Sequence, residues 1–171
     1  MLHGSHSEFL KAPKKLVKNY KKTGNISRIS WKSAVDLLNS WKSRSESVKV
    51  LLERPMTNVG RYNAVVSGAR AFEATLICLE MVGLDYEVID SRHWQKHTIP
   101  GIKGSKFLKE ASANKARELF PEHSQLINKH KDGDALLMCV WMRDLDLGLV
   151  DLKPKPKRKN GNKGRSRPIC K

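Results

Sequence analysis

Two short apolar runs bracket one long amphipathic stretch, and this arrangement constrains the fold more than any other feature of the chain. The first run, VKVLL, is rich in Val and Leu and ends at Glu53, so residues 48–53 are predicted as a strand. In residues 63–82, Val65, Ala69, Phe72, Leu76 and Leu79 recur at alternating steps of four and three, the spacing of one helical face. Gly83 stands where such a helix would stop. YEVI, 86–89, then reads as a second strand. Strand, helix and strand form a βαβ unit, whose strands run parallel with a right-handed crossover.

The flanking regions are less regular. Ser30 suits the cap of a helix carrying Trp31, Val35, Leu38 and Trp41 at helical spacing. After the second strand the chain leads to Asp90 and Trp94, then to a loop, HTIPGIKGSK, punctuated by Pro100, Gly101 and Gly104. A helix over 106–119 stops before Pro121, and a last helix begins near Asp132 and runs through ALLMCVWM towards Gly148. Three regions follow: a basic N-terminal segment, 1–29, read as an exposed arm or the remnant of something longer; an α/β domain, 30–150; and a Lys- and Pro-rich tail, 151–171, which cannot build a core and is expected to be disordered.

Charge divides along the same lines. The 171 residues carry 33 basic and 17 acidic side chains, a net +16. Residues 1–52 hold 11 basic against 3 acidic (+8), residues 53–152 hold 13 against 14 (−1), and residues 153–171 hold nine against none (+9). A near-neutral centre between two basic flanks suggests a polyanion partner, nucleic acid before anionic membrane, because neither flank shows a basic amphipathic helix. No run approaches the ~18 apolar residues of a membrane span, and MLHGSHSEFL lacks the apolar region of a secretory signal. Cys78, Cys139 and Cys170 have no metal-type spacing, and two of them sit in apolar runs, which favours a reduced cytoplasmic protein.

The acids raise the chemical question. Glu53 closes an apolar strand, and a glutamate there either reaches solvent or is paired or bound to metal. Asp132 and Asp134 precede a long apolar helix, where acids also serve as ordinary caps. One acid at a strand end and two at a helix start nevertheless match the oxygen donors that a Mg2+ site requires. In an open α/β sheet, ligands gather at the carboxyl ends of the strands, where Glu53 is placed.

VKVLLERP, the amphipathic helix after it, YEVIDSRHWQKHTIPGIKGSKFLKEASANKARELFP and HKDGDALLM, in this order, resemble RuvC-like Holliday junction resolvases, more closely the phage-type branch, within the RNase H-like superfamily. The resemblance covers roughly residues 30–147 and implies an RNase H-like mixed sheet flanked by helices. It implies a Mg2+- (or Mn2+-) dependent, structure-selective DNA endonuclease acting on four-way junctions as a homodimer, in the cytoplasm of a bacterial or phage-infected cell. It makes Glu53 and Asp134 metal ligands and catalytic residues, Asp132 an additional carboxylate, and His130 a rival for that position. Arg54, Arg61, Lys96, Lys103 and Lys106, with Lys155, Lys157, Arg158 and Lys159 of the tail, become DNA contacts.

This chain departs from the family pattern twice. Asp132 and Asp134 are two apart and diverge by ~200° on a regular helix, so they act together only if Asp132 lies in the cap. The family's first strand, with its Asp-x-Gly, has no counterpart upstream of Glu53, where the only acids are Glu8, Asp36 and Glu46. The resemblance therefore implies missing N-terminal strands, from a shortened reading frame, and impaired cleavage. The alternative is a non-catalytic nucleic-acid-binding protein that keeps the fold. His93 and His97 have zinc-like spacing but no HExxH, and Trp94, Phe107 and Trp141 are expected in the core rather than as base-stacking platforms.

Overall fold

The computed structural model describes residues 2–150 except 4, 5, 20, 21, 56, 58, 59 and 61. In chain order, β1 (Leu2–His3) and β2 (His6–Ser7) form a minimal antiparallel pair, and β3 (Lys14–Lys18) and β4 (Asn25–Ile29) form an antiparallel hairpin. Then come α1 (Trp31–Ser43), β5 (Val50–Glu53), α2 (Tyr62–Val82), β6 (Tyr86–Ile89), α3 (Ser91–Thr98) and α4 (Ser105–Leu119). A 3-10 turn at Pro121–His123 leads into α5 (Ser124–His130), and α6 (Asp134–Asp146) ends the series.

The βαβ unit forms as expected. β5 and β6 pair in parallel, with Val50 opposite Tyr86 and Glu53 opposite Ile89. α2 stops because Gly83 takes the left-handed conformation (φ 65°), which lets the Leu84 N–H donate to the Leu79 carbonyl at 3.0 Å. Lys42 of α1 donates to the Val82 carbonyl at 2.7 Å, tying α1 across this helix end.

Side chains of β5 alternate between two apolar clusters, as a strand's period of two requires. Val50 and Leu52 pack with Leu79, Val82 and Leu84, together with Val35 and Leu38 of α1. Leu51 faces the larger cluster, which holds Ile89, Trp94, Phe120, Ile127, Leu136, Leu137 and Trp141. β5 is therefore covered by helices on both faces.

Some expectations are refined and others corrected. Residues 1–29, read as an exposed arm or the remnant of something longer, contain the largely exposed β3–β4 hairpin, whose register runs from Lys14↔Ile29 to Lys18↔Asn25. Its turn is fixed by Asn19, whose Oδ1 accepts from the Thr23 N–H at 3.0 Å, with Lys22 at φ 56°. Strands are present N-terminal to α1, and among the described residues the strands of this α/β chain pair as three two-stranded sheets. Residues 91–98, of which the sequence places only His97 and Thr98 in the loop and leaves the rest unassigned, form a helix: Asp90 caps it by accepting from the Arg92 N–H, and Trp94 and Thr98, four apart, are both buried. Residues 124–130, unassigned from sequence, form α5. Trp94 and Trp141 lie in the core, whereas Phe107 is 63% exposed because α4 buries Ser112, Ala113 and Ala116 instead.

Candidate metal centre

Strand pairing fixes Glu53. It is the last residue of β5, and the next amide, Arg54 N–H, donates to the Ile89 carbonyl at 2.8 Å, so the ladder continues past the acid. Asp134 is fixed by helix docking. Gly133, its N-terminal neighbour, packs so closely on α4 that an added Cβ would collide with Ala116 and approach the Ser112 carbonyl at 3.1 Å. This approach brings the Ser112 hydroxyl, itself buried, into a short hydrogen bond to Oδ1 of Asp134. Asp132 lies outside the regular turns of α6, and its side chain accepts from the Asp134 N–H at 3.0 Å. Gly133 is the N-cap residue, and Asp132, just before it, supplies an acceptor to the first turn of α6.

The two principal acids are both raised. Burial pushes the Glu53 carboxyl above its usual range, and the charges of Asp134 and Asp132 push it further, against hydrogen-bonding influences from Trp94 and Ser91. The residue as a whole stays open to solvent, which tempers the effect and leaves a path for a hydrated ion. Asp134 is also raised, chiefly by burial and then by Asp132; the Ser112 hydroxyl and Lys109 oppose this. The Trp94 indole N–H is the buried side-chain polar atom left without a hydrogen-bond partner among the described residues. It lies near enough to favour the charged form of Glu53 but outside hydrogen-bonding geometry.

Two hard oxygen donors, each destabilised by burial and by its neighbours' charge, suit a divalent cation, which would relieve both penalties. Glu53 and Asp134 fit that group as a pair. Among the described residues no three His, Cys, Asp or Glu side chains form a metal-holding group, so the pair stands without a third ligand of these types.

The remaining sequence candidates are dispersed. His130 ends α5 with its ring edge-on to Phe9, centroids 6.4 Å apart. Arg54 follows Glu53 directly, Lys96 lies in the last turn of α3, Lys103 in the loop before α4 and Lys106 in its first turn, all exposed. Arg61, Lys155, Lys157, Arg158 and Lys159 lie outside the described residues. Asp36 is exposed on α1. His97 pairs with Asp144 at 2.9 Å. The Ser7 hydroxyl, 2.8 Å from His123 Nε2, donates to Glu122 at 2.9 Å.

Sequence reasoning missed Ser112, Lys109 and the polar role of Trp94.

No protein-family model matches this chain, and no curated protein matches it. Among the described residues, no helix is long and apolar enough to cross a membrane, and Cys78 and Cys139 are free thiols.

Proposed function

We propose that this chain carries the acid site of a RuvC-like, structure-selective DNA endonuclease with an RNase H-like fold, binding branched DNA as a homodimer in the cytoplasm of a bacterial or phage-infected cell. The observation that supports this reading is that Glu53, at the carboxyl end of a parallel strand, feels the charge of Asp134, at the start of α6, and that both carboxyls are raised. Mg2+ or Mn2+ held by these two would supply an activated water and charge neutralisation at a phosphodiester. Ser112 holds Asp134 in one orientation, and Asp132 anchors the first turn of α6. Arg54, Lys96, Lys103 and Lys106, with the basic tail, grip backbone phosphates, which positions DNA without reading its sequence.

The second reading, a non-catalytic nucleic-acid-binding protein, is favoured by one observation, the missing third ligand among the described residues. Two carboxylates hold an ion too loosely to fix a water in line with the phosphorus. Residues 1–171 are therefore expected to bind a synthetic four-way junction in preference to linear duplex of equal length, and to cleave it weakly or not at all in Mg2+. Equal affinity for junction and duplex in a gel-shift titration removes the structure-selective reading. Robust Mg2+-dependent cleavage removes the non-catalytic one.

A further inference from the structure

From Phe9 to Val35 the chain holds eight basic residues and no acid, so this stretch supplies most of the 11 basic residues of positions 1–52. The β3–β4 hairpin lies in its middle. Opposite residues of an antiparallel pair project from the same face, so Lys15, Val17, Ile26 and Arg28 share one face. Val17 and Ile26 are half-buried, which marks this face as the one turned to the body. Lys14, Leu16, Lys18, Asn25 and Ser27 share the other, and all five are exposed, Leu16 by 73%. The ladder and the Asn19 turn hold Lys14 and Lys18 four residues apart along one strand, about 13 Å at ~3.3 Å each. At the root of the hairpin, Pro13 and Ile29 line a cavity together with Leu51 and Leu52. The hairpin is thus rooted beside β5, the strand that ends at Glu53.

Covering an ammonium group with apolar surface is costly, so a partner seated on this face must carry negative charge. We propose that the outer face of the β3–β4 hairpin binds the phosphate backbone of duplex DNA, with Lys14 and Lys18 each contacting a phosphate. The inference rests on the nucleic-acid part of the functional reading, and it adds a surface separate from Arg54, Lys96, Lys103, Lys106 and the basic tail. Side chains of one face make the contact, so it requires neither strand edge to be free. An anionic membrane fits this face less well, because binding at a lipid interface needs buried apolar area and Leu16 is the lone apolar side chain among the five. Lysines held on a ladder lose less freedom on binding than lysines of an unstructured segment, which favours the hairpin as a fixed point of contact. Contacts to phosphate carry no base recognition, so the affinity is independent of sequence.

The test titrates residues 1–171 into a labelled linear duplex in EDTA, across a salt series, so that metal binding and cleavage play no part. Lys14→Gln with Lys18→Gln should lower the slope of log affinity against log salt by about 1.8, at ~0.9 per lost phosphate contact, and weaken binding at least about tenfold near 0.1 M salt. Each single variant should lose about half of that slope, so misfolding of the double variant leaves the question open to measurement. Lys14→Arg with Lys18→Arg should keep the parent slope. Lys129→Gln with Lys131→Gln removes the same charge from two exposed lysines elsewhere and should also keep it. The proposal is overturned by a parent chain that does not bind duplex, by an unchanged slope in the Lys14 and Lys18 variants, or by an equal loss in the Lys129 and Lys131 control, which would make net charge the cause. An unchanged DNA slope with lost binding to phosphatidylserine vesicles also overturns it and assigns the face to a membrane. A lowered slope in a chain that shows no preference for junctions removes the nuclease reading and leaves this one standing; an unchanged slope with junction preference intact does the reverse.

Discussion

The Ser112 hydroxyl donates from α4 to Oδ1 of Asp134 on α6, and this bond joins the two helices at the acid site. Ser112 is buried, so its removal leaves the carboxylate short of a donor in a place water does not easily reach. Ser112→Ala should cost about 1–3 kcal/mol in urea unfolding at neutral pH. The cost should shrink in acid, because the hydroxyl favours the charged form of Asp134. Equal losses at both pH values would show that Ser112 acts through packing alone.

Stability should fall as pH rises through the range in which Glu53 and Asp134 ionise. Both carboxyls are raised in the folded chain above usual values of 4.5 and 3.8, burial being the largest cause for each. The folded state therefore binds more protons than the unfolded one between the usual and raised values, and the slope of unfolding free energy against pH is negative there. Below that window the penalty is absent; above it the ionised pair carries the full cost. Asp134→Asn, which keeps an acceptor for Ser112, should raise Tm at pH 7 by ~2–4 °C, the shift about 1 kcal/mol gives a domain of this size. Near pH 3.5 the gain should vanish. A gain that persists unchanged in acid contradicts the account in which ionising the buried Asp134 costs stability.

The basic tail should supply salt-dependent DNA affinity. Residues 153–171 carry nine basic side chains and no acid. Each phosphate contacted on duplex DNA adds ~0.9 to the slope of log affinity against log salt. Deleting 153–171 should weaken binding and flatten this slope, as measured by anisotropy across a salt series. An unchanged slope assigns the tail another task.

The parts of the fold legible in the sequence were those whose signal is local. Val65, Phe72, Leu76 and Leu79 mark α2 by spacing, and the Val- and Leu-rich β5 and YEVI mark the strands it joins. The β3–β4 hairpin was not legible, because Leu16 points outward and only Val17, Ile26 and Ile29 are half-buried among lysines. α3 hid for a related reason: Trp94 and Thr98 are its buried residues in an otherwise polar stretch. At the site, Glu53 and Asp134 were readable as residue types at element ends. Ser112 and Lys109 were not, because their relation to Asp134 depends on the close packing of Gly133 on Ala116, a tertiary contact.

Isothermal titration of Mn2+ into residues 1–171, into Glu53→Gln and into Asp134→Asn tests the central claim, that these two acids form one cation site. Binding is expected in the parent chain and should weaken at least about tenfold in each variant, since each loses one of two charged oxygen donors. Heats that are identical in all three proteins, or absent from the parent chain, would contradict it.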